Sequence, residues 1–260
     1  MFRPRVMPML LLHDRGLVKT KKFGMAVSLG DPINTVKIFN DKCVDEIIIA
    51  DIDATARKRD PDYSYIEEIV SEAFMPVCYG GGVTRLDQMS RLFSLGVEKI
   101  SVSAAAVEDW RWLGECAKRY GSQAIAVTLD VKKSFLGSAK HIVTNNARRN
   151  TGQKAQEIVK ELENTGVGEL IINDVDRDGM MIGYDLDYIR TITSIVSIPV
   201  VAVGGAGSLE DMKSVIEVGG AHAAAAGSLF VFYGKGKGVL INYPDQDRLK
   251  RLFEGEAHGS

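Results

Sequence analysis

The residues with chemical potential in this chain are few, and they close apolar runs. Gln123–Asp130 is one such run, ended by an aspartate that could serve as a general acid or base. Two glycine clusters end others: Pro76-Val77-Cys78-Tyr79-Gly80-Gly81-Gly82 and, 123 residues later, Pro199-Val200-Val201-Ala202-Val203-Gly204-Gly205. Each precedes an amphipathic stretch, so the order is strand, tight turn, helix. Glycines there let backbone N–H groups come close to an anion, and two equivalent clusters suit a ligand with two phosphates. The same glycines serve equally as tight turns without a ligand.

The repeat extends beyond the glycines. Glu46-Ile47-Ile48-Ile49-Ala50-Asp51-Ile52-Asp53 is matched in the same register by Glu169-Leu170-Ile171-Ile172-Asn173-Asp174-Val175-Asp176, and Tyr65-Ile66 by Tyr188-Ile189. One register shared by separate segments marks a chain built from two similar halves. Strand-like runs recur at Val6–Leu12, Glu46–Asp51, Pro76–Tyr79, Lys99–Ser103, Gln123–Asp130, Glu169–Asp174, Val200–Val203 and His222–Ala226. Most are continuously apolar, as parallel strands covered by helices should be. Helical patterns alternate with them, the first opened by Asp31-Pro32 as cap and N1 proline. This alternation, with its two-half repeat, predicts an α/β chain folded as a single (β/α)8 TIM barrel domain over residues 1–260. An open doubly wound sheet is the alternative, but it gives late strands no reason to resemble early ones. Arg15–Gly30 and Ser134–Gly152 interrupt the rhythm as long loops on the face where barrel active sites form. They read either as lids or as variable surface loops.

Composition narrows the function classes. A net charge of −2 leaves no footprint for nucleic acid or an anionic membrane. Cys43, Cys78 and Cys116 are odd in number and lack metal spacing, which fits a reducing cytoplasm and predicts no metal site. The apolar run Val6–Leu12 is too short for a signal segment or a membrane span.

Comparing the halves exposes an asymmetry. Aligning the ends of the first and fifth strands, with a short gap, puts Leu11 opposite Asp130. A symmetric mouth using an acid and a base would carry a carboxylate on each side, and here one is missing. Asp130 alone reads as a base or as an acid that merely orients a loop. His13 and Asp14 lie nearby but out of register and are expected to point elsewhere, with His13 the available substitute acid.

Gly80-Gly81-Gly82, Asp176-Arg177-Asp178-Gly179, Gly183-Tyr184-Asp185 and Gly204-Gly205-Ala206-Gly207, in that order, resemble the cyclase subunit of imidazole glycerol phosphate synthase. The resemblance runs from Arg5 to about Phe232. It implies a half-barrel-repeat (βα)8 fold paired with a glutaminase. Ammonia from that partner would enter at the barrel base, cross the interior and react at the top with a phosphorylated ribonucleotide. It implies no cofactor. One phosphate site would use Gly81, Gly82 and Ser103; the other would use Gly179, Gly204, Gly205, Gly227 and Ser228, with Lys19, Asp176 and Asp178 matching further ligand-binding positions. It also implies a charged gate of Arg5, Glu46, Lys99 and Glu169. Two cations and two carboxylates can satisfy one another where a lone buried charge would be costly, and the four would serve equally as an ordinary salt-bridge ring.

The departures are informative. The family's general acid is an aspartate where Leu11 stands; Ser103 and Ala104 replace Asn and Thr, and Val203 replaces a small polar residue. A retained ammonia entrance beneath an altered cyclase site resembles a narrower branch, the cyclase-like proteins of acetamidino modification of surface sugars. Its strings Leu10-Leu11-Leu12, Asp51-Ile52-Asp53-Ala54-Thr55 and Cys78-Tyr79-Gly80-Gly81-Gly82 recur here. That branch implies an ammonia-channelling subunit, working with a glutaminase in a heterodimer and with a sugar amidotransferase, in O-antigen lipopolysaccharide synthesis. The alternatives are an active cyclase of histidine biosynthesis and a non-catalytic phosphate-binding scaffold that activates the glutaminase.

Overall fold

The structure, a computed structural model, describes residues 3–134, 137, 139–234, 236 and 238–254. The continuously apolar runs form the parallel strands β1 (Arg5–His13), β2 (Ile47–Asp51), β3 (Val77–Gly80), β4 (Lys99–Val102), β5 (Ile125–Lys133), β6 (Glu169–Asp174), β7 (Val200–Val203) and β8 (Ala223–Ala226). Each pairs with its neighbours in chain order, and β8 returns to β1, so the sheet closes. The result is a (β/α)8 TIM barrel. Alternate strand residues face opposite ways. Val6, Leu10 and Leu12 meet helix residues such as Phe39 and Ile66 in an outer core, while Met7, Ile48, Cys78, Ala126, Ile171 and Val201 fill the barrel. No described helix is long and apolar enough to cross a membrane.

The sequence repeat is written into the caps. Asp62 and Asp185 each cap a helix by accepting the N–H of Tyr65 or Tyr188. Gln88 and Asp211 accept the turn N–H groups of Arg85 and Ser208 in the same register. Gly81 and Gly204 hold φ of +131° and +91°. A Cβ at either would lie 2.5 Å from the carbonyl oxygen of Asp51 or Asp174. Gly204→Ala therefore combines left-handed strain with a backbone clash and should cost about 3 kcal/mol. Gly30→Ala, at φ +113° with no heavy atom near the added carbon, should cost about 1 kcal/mol. Chemical denaturation of the two variants checks the difference, and equal losses would refute the clash.

The described parts of the two long segments include paired strands where only loops were expected. Gly16–Lys19 and Val27–Gly30 form an antiparallel ribbon on β1; Lys140–Thr144 and Arg149–Asn150 form another on β5. The reason is length: β1 and β5 run nine residues each against five in β2, so their ends overhang the barrel and offer free edges to the chain that follows. Asn146, at the tip of the second ribbon, donates its side-chain N–H to Ile52 O at 2.8 Å and ties that ribbon across the mouth.

Candidate functional site

The ribbons and strand ends enclose a cavity of about 520 Å³ at the C-terminal mouth of the barrel. Asp130, in the second half of β5, lines it beside Asn173 of β6, whose Nδ2 donates to Asp130 Oδ1 at 2.8 Å. Burial pushes the Asp130 carboxyl up to about 7; the Asn173 hydrogen bond opposes that rise and the Asp178 carboxylate adds to it. The ordinary value is 3.8, so the unfolded chain releases this proton first as pH rises. The folded state is thus penalised increasingly between about pH 4 and pH 7. Asp130→Asn should raise the melting temperature at pH 8 and leave it unchanged at pH 4, as calorimetry at the two pH values would record. A uniform shift would show that the carboxyl titrates normally.

The alignment of strand ends holds in three dimensions. The N–H of Asp14 donates to Asp53 at 2.8 Å, and the N–H of Lys133 donates to Asp176 at 2.7 Å. Asp14 and Lys133 each lie three residues after Leu11 and Asp130, respectively. Leu11 is thus the counterpart of Asp130 and lines the same cavity. His13 was expected to point elsewhere but lines this cavity, with Nδ1 2.8 Å from Asp53 Oδ1. The cause is that β1 continues through His13, so the inward alternation of its side chains reaches one residue further. Asp14 instead pairs with Arg57 on the surface.

Gly81, Ser103, Gly179, Gly204, Gly205, Gly227 and Ser228 also line the cavity. Ser228 is 5 % exposed and its Oγ has no partner among the described residues. Lys19 lines it with its charge already met: Nζ lies 2.5 Å from Asp178, which also accepts the hydroxyl of Thr20. Gly82 and Asp176 stand outside the lining, because the N–H of Gly82 turns to Thr55 Oγ1 at 3.4 Å and Asp176 is spent on the N–H of Lys133.

At the opposite end of the barrel, Lys99 Nζ lies 2.8 Å from Glu46 and 2.8 Å from Glu169, and Arg5 bonds to both carboxylates. Burial alone would lower the Lys99 pKa, yet Glu169 and Glu46 hold it above its ordinary value. The four residues make a closed, mutually neutralised ring. Above it come the apolar inner side chains, then a hydroxyl pair, Ser101 and Thr128, 2.6 Å apart in the lining of the cavity.

The sequence profile of the histidine biosynthesis protein family matches residues 5–237. The chain belongs to this family. It is 45 % identical over 97 % of its length to a Leptospira borgpetersenii protein named "Putative imidazole glycerol phosphate synthase subunit HisF", covering 100 % of that protein. Proteins of like name from Pseudomonas aeruginosa and Vibrio vulnificus are 46 % and 45 % identical, over 96 % and 98 % of this chain and 99 % and 98 % of their own lengths.

Asn173 is one residue of the site that sequence reasoning missed. Its signal was present: an amide at the end of the apolar run Glu169–Asn173, at the position where the first half carries Ala50. Ser101, Thr128 and the His13–Asp53 contact were missed as well, since each requires a partner from another strand.

Proposed function

We propose that the chain is the cyclase-type, ammonia-conducting subunit of a glutamine amidotransferase, acting as a single domain in the cytoplasm. A glutaminase would dock on the floor around Arg5, Glu46, Glu98, Lys99 and Glu169, where Phe74 stands 87 % exposed on the same face. Ammonia would pass the ring, cross the apolar interior and leave at the mouth. The acceptor chemistry would be formation of an acetamidino group on a sugar of the O-antigen, with a sugar amidotransferase as second partner. Gly179, Gly204, Gly205, Gly227 and Ser228 would hold an anionic, phosphorylated part of the ligand, whereas Gly81 and Ser103, without Gly82, would hold one weakly.

The observation that carries this reading is the conjunction of a complete charged ring at the floor with Leu11 opposite Asp130 at the mouth. The first is retained where a channel entrance would lie, whereas acid–base cyclisation needs a second carboxylate. The glutaminase should be nearly inert alone and should hydrolyse glutamine when this chain is added. Unchanged hydrolysis would refute the pairing. The family description is equally compatible with a second reading, an active cyclase of histidine biosynthesis. Turnover of the histidine-pathway ribonucleotide by this chain at saturating ammonium and mildly alkaline pH decides between them. A rate near that of an ordinary cyclase would establish the second reading.

A further inference from the structure

Asp130 and Asn173 are cross-strand neighbours on β5 and β6; Leu11 and Ala50 are cross-strand neighbours on β1 and β2. The repeat makes the second pair the counterpart of the first. In an eight-stranded barrel these strand pairs lie on opposite sides, and all four residues line the one cavity. The mouth therefore sets two acceptors, Asp130 and Asn173, against two alkyl side chains, Leu11 and Ala50, with His13 and Asp53 flanking the alkyl pair. The amide nitrogen of Asn173 gives one N–H to Asp130 Oδ1, and its amide oxygen is buried without a donor among the described residues. No hydrogen bond reaches Asp130 Oδ2 among the described residues. Acceptors without donors call for N–H groups and repel anions. Leu11, 6 % exposed, and Ala50 call for a small apolar group alongside.

We propose that these four residues bind an amidine-type group, its N–H edge on Asp130 and Asn173 and its carbon substituent on Leu11 and Ala50. A planar amidinium offers two N–H groups to a carboxylate in the fork geometry that makes such pairs strong. An anionic remainder of the ligand would extend toward Ser228. The site rests on the conduit reading, which brings nitrogen to this end of the barrel.

Acetamidinium chloride titrated onto the full chain, followed by NMR with ammonium chloride as the reference probe, tests the site. Acetamidinium should bind about tenfold more tightly than ammonium, and Asp130→Asn should weaken it by about tenfold or more. Leu11→Ser should erase the preference while leaving ammonium affinity unchanged; Ala50→Ser replaces it if that variant fails to fold. Equal affinity for the two cations, or an Asp130→Asn variant that binds acetamidinium as the parent does, overturns the proposal. Glutaminase activation is measured separately. Its absence with acetamidinium binding intact would sink the conduit alone, and intact coupling without acetamidinium binding would sink the site alone.

Discussion

Leu11→Asp should raise ammonia-driven turnover of the histidine-pathway ribonucleotide by about 10²–10⁴-fold, the usual worth of one positioned acid or base. The substitution places a carboxyl opposite Asp130 in a cavity that already holds Ser228, Gly204 and Gly205. Two carboxyls in one mouth with different surroundings are what separates an acid from a base. Asp130 already titrates near neutrality because it is buried, so the existing partner is suited to proton transfer. Leu11→Asn is the control, with similar shape and polarity but no proton to give. An equal gain in both variants, or none in a folded Leu11→Asp protein, would refute the assignment of Leu11 as the lost acid. The variant should also be less stable, because a buried leucine is exchanged for a group that resists desolvation.

Lys99→Ala should lower glutamine-driven product formation by about tenfold or more while leaving ammonia-driven formation intact. Lys99 bridges Glu46 and Glu169, and without it Arg5 alone must neutralise both. Removing one partner from a buried ionic network typically costs about 3–5 kcal/mol. Arg5 remains and is one-third exposed, so about 2–3 kcal/mol is the expected loss here. Lys99→Met with Glu169→Gln balances the charge and should recover most of that stability without restoring coupling. Parallel loss of both activities in this balanced variant would reduce the ring to a structural salt-bridge cluster.

The barrel and its two halves were legible from the chain because both depend on local order. Continuous apolar runs such as Glu169–Asp174 bury both faces, and cap residues such as Asp62 and Asp185 recur in one register. Those patterns hold wherever the partner strands lie. Leu11 could also be matched to Asp130 without coordinates, since the two halves serve as references for each other. The ribbons after β1 and β5 were less legible: nothing in Arg15–Gly30 or Ser134–Gly152 states that an overhanging edge lies beside it.

What the sequence determined by itself was the closed barrel, its duplicated halves and a single carboxylate where symmetry asks for two. Tertiary structure alone decided which polar groups are free. Lys19 is neutralised by Asp178, Asp176 is spent on a backbone N–H, and Asn173 holds Asp130 while its own oxygen stays unpaired among the described residues. The reason is physical. Periodicity is set by neighbours a few residues away, whereas the availability of a buried donor or acceptor is set by residues that barrel closure brings together from distant parts of the chain.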